Sequence, residues 1–281
     1  MEPLKVGRSY EKQVLERLFD AIKSFREVSF VSIGKSGEYP LFCVTIGSHL
    51  NPNLKDVLIS AGIHGEEPAG IFALLRFLEK DIADFLDDFR FTIFPCINPF
   101  GFERGYRFNE EGLDINREFG KETLCVEANK VTEHLKLRNR QFVCTIDLHE
   151  TDPNDARKDF VEEANPTEFY MWEVCPDKNL RVGDRVIEKI ERFIPVCKWE
   201  TIYEDKNNGG VIWYPEGCGN QIYAERTTLE GFLADNYTPQ SFTLETPCGW
   251  QMAGRIFAHR TALKSILELK RHQNSRACPL N

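Results

Sequence analysis

The sequence predicts an α/β fold in a single domain. Short β-branched and aromatic runs alternate along the chain with stretches in which apolar residues recur every three or four positions, the pattern of strands joined by crossover helices. No internal repeat, low-complexity tract or Pro/Gly/Ser-rich linker divides the 281 residues, and one α/β domain accommodates that length. We therefore expect one domain over residues 1–281, with a helical segment at 1–24 and a frayed polar tail at 273–281.

Seven short runs are predicted to form strands, at residues 29–33, 42–46, 56–61, 90–95, 141–148, 198–202 and 241–245. Apolar residues at helical spacing predict four helices, within residues 71–82, 124–135, 186–193 and 256–266. Two long stretches, 98–120 and 205–221, show neither period and contain several glycines. Loops of that length in a compact domain are usually functional, so we expect a role for both.

The composition argues against two classes of partner. The 44 Asp and Glu residues exceed the 35 Lys and Arg residues, and the formal charge of −9 repels phosphate backbones and anionic lipid heads. The longest apolar runs, 57–63 and 71–75, are far shorter than the roughly 20 residues that cross a bilayer. We expect neither a nucleic-acid partner nor a membrane.

The cysteines and the N-terminus bear on the compartment. The nine cysteines include no Cys-x-x-Cys pair, and Cys43, Cys96 and Cys144 lie in apolar runs, where a free thiol behaves as a small buried hydrophobe. Residues 1–5 lack the continuous apolar core of a secretory signal. Reduced thiols and a cytoplasmic location are therefore expected.

The first candidate site residues follow the predicted strand 56–61. His64 and Glu67 are three positions apart at the junction between this strand and the next helix. That spacing lets an imidazole nitrogen and a carboxylate converge on one ion, and the carboxyl end of a strand is where α/β sheets open their binding crevice. The simpler alternative is that both residues only cap the helix.

A second histidine ends another predicted strand. His149 follows the run 141–148 and could complete a set of two histidines and one carboxylate, which leaves an open position for water, as in a catalytic zinc site. The other four histidines lie in polar turn-like or helical surroundings and are expected at the surface: His49, His134, His259 and His272.

Two further features concern catalysis. Alternation in the strand 241–245 puts Glu245 on its polar face, where a carboxylate beside a metal could act as general base and acid; a surface glutamate is the alternative. The loop 98–119 carries Arg107 and Arg117, and arginine forks onto carboxylates and polarises carbonyl groups. A merely solvated loop is the alternative there.

Taken in order, these motifs resemble those of the zinc metallocarboxypeptidase superfamily, of the carboxypeptidase A type, which also contains the aspartoacylase and succinylglutamate desuccinylase deacylases. The resemblance covers roughly residues 56–247. The family's H-x-x-E motif falls on His64 and Glu67, its later strand-end histidine on His149 and its catalytic glutamate on Glu245. The resemblance implies a mixed, mostly parallel twisted sheet flanked by helices, and one Zn²⁺ per chain held by His64, Glu67 and His149.

The arginine loop matches the family with two departures. In the N-P-D-G segment Phe100 replaces the acidic residue, and in the D-x-N-R-N-F segment Glu118 replaces the second Asn and adds a negative charge. The resemblance implies these roles: Asp114 orients a metal-binding histidine, Arg107 (or, as runner-up, Arg104) stabilises the oxyanion, and Asn116 and Arg117 clamp a substrate carboxylate. The family's active-site tyrosine could fall on Tyr223 or Tyr237, and it stays unassigned.

The implied chemistry is metal-assisted hydrolysis of an amide, with Glu245 as the base. Two enzyme functions share it: a carboxypeptidase acting on a peptide, and a deacylase acting on a small N-acyl amino acid. Trp213 and Tyr214 in the second long loop could form a peptide subsite wall, which favours the peptidase. A non-catalytic metal-binding module and a non-haem Fe(II) site are the alternatives from other classes, and Glu245 and the arginine loop fit hydrolysis better.

Overall fold

An eight-stranded mixed sheet forms the middle of the molecule in the computed structural model, which describes residues 6–152, 165–215 and 225–273. Its strands, in chain order, are β1 (Val28–Ser36), β2 (Tyr39–Ile46), β3 (Lys55–Ala61), β4 (Phe89–Phe94), β5 (Cys144–Thr151), β6 (Tyr170–Val174), β9 (Val211–Tyr214) and β10 (Ser241–Pro247). The short strands β7 (Thr201–Ile202) and β8 (Asp205–Lys206) pair separately. The spatial order of the sheet is β1-β2-β4-β3-β5-β10-β6-β9.

The centre of the sheet is parallel. Strands β4, β3, β5 and β10 run side by side in one direction, while β2 and β6 pair antiparallel to the two flanks of this group. Every residue of β4, β5 and β10 is buried, as expected for strands covered on both faces. The mixed sheet predicted from the resemblance is confirmed.

Helices cover both faces of the sheet. Within the described residues they are α1 (Glu16–Ile22, preceded by a π-helical turn at Glu11–Leu15), α2 (Pro68–Lys80), α3 (Pro99–Arg104), α4 (Val126–Arg138), α5 (Gly183–Ile190), α6 (Leu229–Asn236) and α7 (Met252–His272). Val57 and Ile59 of β3 pack in one apolar cluster with α2 and α7, and Leu58 packs in another with α4 and α6. This alternation of side chains along β3 makes a three-layer core.

Most predicted strands occur in the sheet, but one prediction is wrong. Of residues 198–202 only Thr201–Ile202 is a strand, and it pairs with Asp205–Lys206 outside the main sheet. Strands β6 and β9 were not predicted; β9 is only four residues long and lies in the stretch expected to be irregular. The N-terminal helical segment is present from Glu11, and α7 ends one residue before the predicted tail. Residues 1–5, 216–221 and 274–281 of these predictions lie outside the described residues.

Two of the four histidines expected at the surface are buried. His259 is fully buried on α7, where its Nε2 lies 3.0 Å from Thr246 Oγ1, and His134 packs edge-on against the Phe94 ring. Both lie on helix faces turned to the sheet, which local polarity does not reveal. His49 and His272 are exposed, as expected.

The described part of the chain also bears on membrane spanning and on the state of the cysteines. None of its helices is long and apolar enough to span a membrane. Its seven cysteines are free thiols and six of them are buried, including Cys43, Cys96 and Cys144.

Gly70 allows α2 to approach β5 closely. A Cβ atom on Gly70 would lie 2.6 Å from the Leu148 carbonyl oxygen and 2.8 Å from the Leu148 Cβ. We expect Gly70→Ala to lower the free energy of unfolding by about 1–3 kcal/mol, the usual cost of overpacking. The matched control is Gly254→Ala in α7, where a Cβ meets nothing within 4 Å; it should raise the stability by up to about 1 kcal/mol. Urea unfolding measures both, and a Gly70→Ala protein as stable as the native one would contradict this packing.

Candidate metal centre

The carboxyl ends of three neighbouring parallel strands meet at one edge of the sheet. After β3 the chain turns through Gly62, whose φ of +65° favours glycine, and reaches His64 and then Glu67, which directly precedes α2. His149 lies near the end of β5, and the strand register pairs it with Glu245 of β10. The topology therefore gathers residues from distant parts of the chain.

Three side chains converge at this edge. Glu67 Oε1 lies 2.7 Å from His64 Nδ1, and Glu67 Oε2 lies 3.0 Å from His149 Nδ1. One ligand atom from each residue lies within 4.8 Å of the other two, and all three residues are buried. The structure brings together the three ligands predicted from the sequence in a group that could hold a metal ion.

The far side of each imidazole ring is tied to a carboxylate. His64 Nε2 lies 3.2 Å from Asp114 Oδ1, the orienting contact that the resemblance implied. His149 Nε2 lies 2.9 Å from Asp147 Oδ2, and the other oxygen of Asp147 accepts a hydrogen bond from Ser60. Asp147 was not predicted to orient His149, although alternation along β5 puts the two residues on the same face.

These contacts show that the site suits a cation. With the ring protons directed to Asp114 and Asp147, the lone pairs on the two Nδ1 atoms face the carboxylate of Glu67, and such contacts are favourable only with a proton or a metal cation between them. Burial lowers the pKa of His149, yet Asp147 and Glu67 outweigh it and hold that pKa well above its ordinary value. Two imidazoles and one carboxylate are a ligand set that catalytic zinc sites use.

Glu67 is held in place by the two imidazoles and by a backbone N–H. Burial alone would raise its pKa, but His64 and His149 hold it well below the ordinary value. Its Oε2 also accepts a hydrogen bond from the backbone N–H of Glu150 at 3.0 Å. The carboxylate is thus charged and held in place between the two imidazoles.

Glu245 is a buried carboxyl group beside this cluster. Only 8% of the residue is exposed, and its Oε2 accepts a hydrogen bond from Thr151 Oγ1 at 2.9 Å. Burial, opposed by the positive charge of His149, raises the pKa of Glu245 to about 7. A carboxyl group with that pKa can both take up and release a proton near neutral pH.

Of the two arginines considered for the oxyanion, Arg107 lies at the cluster. Its Nε and Nη2 contact Asp114 Oδ2 at 2.9 and 2.8 Å, and its Nη1 lies 3.5 Å from Glu67 Oε1. Arg104 instead lies over the Phe100 ring, 3.8 Å from its centroid, and donates to the Tyr39 hydroxyl. The geometry favours Arg107.

The predicted substrate clamp lies on a short turn, Ile115–Arg117, that Asp114 begins by accepting from the Asn116 N–H. Asn116 Oδ1 accepts from the Leu229 N–H at 2.8 Å, which ties this turn to the start of α6. Glu118, whose charge was expected near the clamp, pairs with Lys121 and Thr123. Its charge is therefore compensated locally.

Three further buried polar atoms were not among the predicted site residues. Glu230 Oε2, Trp172 Nε1 and Thr243 Oγ1 are buried and make no hydrogen bond within the described ranges. The register places Thr243 between Asp147 and Trp172. Thr243 and Asp147 precede Glu245 and His149 by two positions on their strands. Burial raises the pKa of Glu230, on which the charges of His149, Asp147 and Arg117 also act. Glu230 and Trp172 lie on α6 and β6, which were not predicted, whereas alternation along the predicted strand 241–245 puts Thr243 on the same face as Glu245.

Three aromatic residues considered for the substrate site pack in other parts of the molecule. Tyr214 is buried in a separate apolar cluster, and Trp213 donates from its Nε1 to Glu173, so neither forms the expected peptide subsite wall. Tyr237 is 7% exposed in the core under α6, where it packs edge-on against Phe232. It is a core residue, and Tyr223 lies outside the described residues.

Comparisons with known proteins agree with this geometry. The sequence model of the succinylglutamate desuccinylase/aspartoacylase catalytic domain matches residues 53–168, which include His64, Glu67 and His149 but not Glu245. Carboxypeptidase SOL1 of Arabidopsis thaliana is 26% identical over 243 residues, or 76% of this chain and 48% of that protein. The chain therefore spans about half the length of this relative.

Solved structures extend the likeness to the whole fold. A protein of Shewanella amazonensis provisionally described as a metallopeptidase is 22% identical, with a TM-score of 0.74 and 91% of each chain covered. A metallo-carboxypeptidase of Burkholderia cenocepacia is 17% identical, with a TM-score of 0.65 over 94% of this chain and 69% of that one. The sequence matches and the shared fold together support the zinc carboxypeptidase-type superfamily. The matched family model is named for a desuccinylase and an aspartoacylase, whereas the Arabidopsis relative is a carboxypeptidase.

Asp147 offers a test of metal binding at this site. Asp147→Asn removes the charge that orients His149, so we expect the affinity for Zn²⁺ to fall by about 10- to 100-fold. Competition with a chromophoric chelator measures the affinity. The control is Asp20→Asn, at an aspartate whose side chain is 74% exposed. Unchanged zinc affinity in Asp147→Asn would contradict the orienting role.

Proposed function

We propose that the protein is a zinc-dependent hydrolase that removes the C-terminal residue of a peptide. The observation that carries the proposal is the position of Glu245, a buried carboxyl group with a pKa of about 7, on the strand next to His149 in the His64–Glu67–His149 cluster. A structural metal site needs no such group. The free thiols of the described cysteines fit a reducing compartment, and a cytoplasmic location is part of the proposal.

The residues divide the chemistry between them. One Zn²⁺ held by His64, Glu67 and His149 would supply a Lewis acid that polarises the scissile carbonyl and lowers the pKa of a bound water. Glu245 takes the proton of the attacking water and later delivers it to the departing amine. Arg107 offers its guanidinium to the developing negative charge.

Charge near the clamp supports a peptide substrate. Asn116 and Arg117 would grip a terminal carboxylate, as the resemblance implies. The carboxyl group of Glu230 lies close enough for Arg117 to act on it, and its Oε2 makes no hydrogen bond within the described ranges. A second substrate carboxylate, as in acyl derivatives of aspartate or glutamate, would make an unfavourable contact with Glu230. A cationic or hydrogen-bonding side chain would pair with Glu230 instead.

A deacylase is the second candidate. The match of residues 53–168 to the desuccinylase/aspartoacylase catalytic domain favours it. In that case Asn116 and Arg117 would hold the carboxylate of a small N-acyl amino acid. The cleaved bond and the role of Glu245 would be the same.

A substrate panel separates the two functions. The purified protein, loaded with Zn²⁺, is assayed for amine release from peptides ending in lysine, leucine or glutamate, from their C-terminally amidated forms, and from acetyl-aspartate and succinyl-glutamate. We expect cleavage of the free peptides only, with lysine preferred over glutamate because of Glu230. Glu230→Gln should reduce that preference. Cleavage confined to the acyl amino acids would favour the deacylase.

The same panel is run with Glu245→Gln. Loss of the base should lower kcat by about 10²- to 10⁴-fold while zinc stays bound. Glu133→Gln, at a glutamate whose side chain is 59% exposed, is the matched control and should keep the native rate. A zinc-loaded Glu245→Gln protein with native activity would refute the proposed function.

A further inference from the structure

A chain of hydroxyl groups leads from the interior to Glu245. Thr151 Oγ1, at the end of β5, donates to Glu245 Oε2 at 2.9 Å and lies 2.8 Å from the hydroxyl of Tyr170 on β6. Tyr170 is in turn hydrogen-bonded to Tyr203. Glu245, Thr151 and Tyr170 are all buried.

The sheet itself sets up these contacts. Strand β10 lies between β5 and β6, and the register pairs Glu245 with His149 on one side and with Tyr170 on the other. Thr151 lies two positions beyond His149, so its side chain points to the same face of the sheet. Thr151 therefore approaches Glu245 from β5, the strand that carries His149, and the Tyr170 hydroxyl reaches Thr151 from β6, on the other side of β10.

We propose that Thr151 and Tyr170 are positioning residues that keep the carboxyl group of Glu245 in place before and after it takes a proton. The inference rests on the proposed function, in which Glu245 is the base. A hydroxyl donates to a carboxylate and accepts from a carboxylic acid, so Thr151 can stay bonded to Glu245 in both states. A backbone N–H can donate but cannot accept, so it could not receive the O–H of the protonated carboxyl group.

The second hydroxyl completes this arrangement. While Thr151 donates to Glu245, its oxygen accepts the proton of Tyr170; once Glu245 is protonated, Thr151 can donate to Tyr170 instead. Only one proton is transferred: it passes from the water to Glu245 and then to the leaving amine. The hydroxyl chain reorients without gaining or losing a proton.

Thr151→Val tests the proposal because it keeps the shape of the side chain and removes the hydroxyl. We expect kcat on the substrate found with the panel to fall by about 10- to 100-fold, the cost of a misplaced catalytic group, with KM within about twofold and zinc content unchanged. Thr151→Ser should restore most of the rate. Tyr170→Phe should lower kcat with the same pattern and to a smaller extent.

A crystal structure of each variant gives a readout that does not depend on turnover. Glu245 should occupy one position in the native protein and in Thr151→Ser, and more than one in Thr151→Val. A single ordered position with native kcat in Thr151→Val, while Glu245→Gln is inactive, would overturn the positioning role and leave the proposed function intact. Should Thr151→Val fail to fold, native kcat in Tyr170→Phe would overturn it. Native activity in Glu245→Gln would instead remove the proposed function.

Discussion

The site depends on the contact between one carboxylate and two imidazoles. Glu67 reaches from the start of α2 to the Nδ1 atoms of His64 and His149, which come from two neighbouring parallel strands. Asp114 and Asp147 hold the opposite nitrogens, so the rings cannot turn away without breaking buried hydrogen bonds. The close approach of α2 to β5 makes this contact possible.

Charge explains why such a cluster needs a cation. Glu67, Asp147 and Glu245 are buried and Asp114 is half-buried, so four carboxyl groups lie close together, and Arg107 contacts two of them, Glu67 and Asp114. An unpaired buried charge costs several kcal/mol, so the carboxylates require positive charge on the imidazoles or between them. Glu245 responds differently, because burial raises its pKa to about 7 and leaves it able to exchange a proton.

The sequence predicted those parts of the site that lie at the ends of strongly apolar strands. His64, His149 and Glu245 follow or end such runs, and parallel neighbours bring their ends to one edge. Strand β6 and helix α6 were not predicted because short segments owe their structure to packing across the sheet rather than to local pattern. Glu230 and Trp172 therefore came from the structure alone, as did the burial of His259, whereas Thr243 lies on the predicted strand 241–245.

The central claim is that His64, Glu67 and His149 bind one Zn²⁺. Diffraction data collected on the zinc-loaded protein on both sides of the zinc absorption edge test it directly. The account predicts one anomalous peak per chain, within coordinating distance of the Nδ1 atoms of both histidines and of the Glu67 carboxylate, with the ring contacts to Asp114 and Asp147 kept. No peak there, or a peak bound by other residues, would contradict the account.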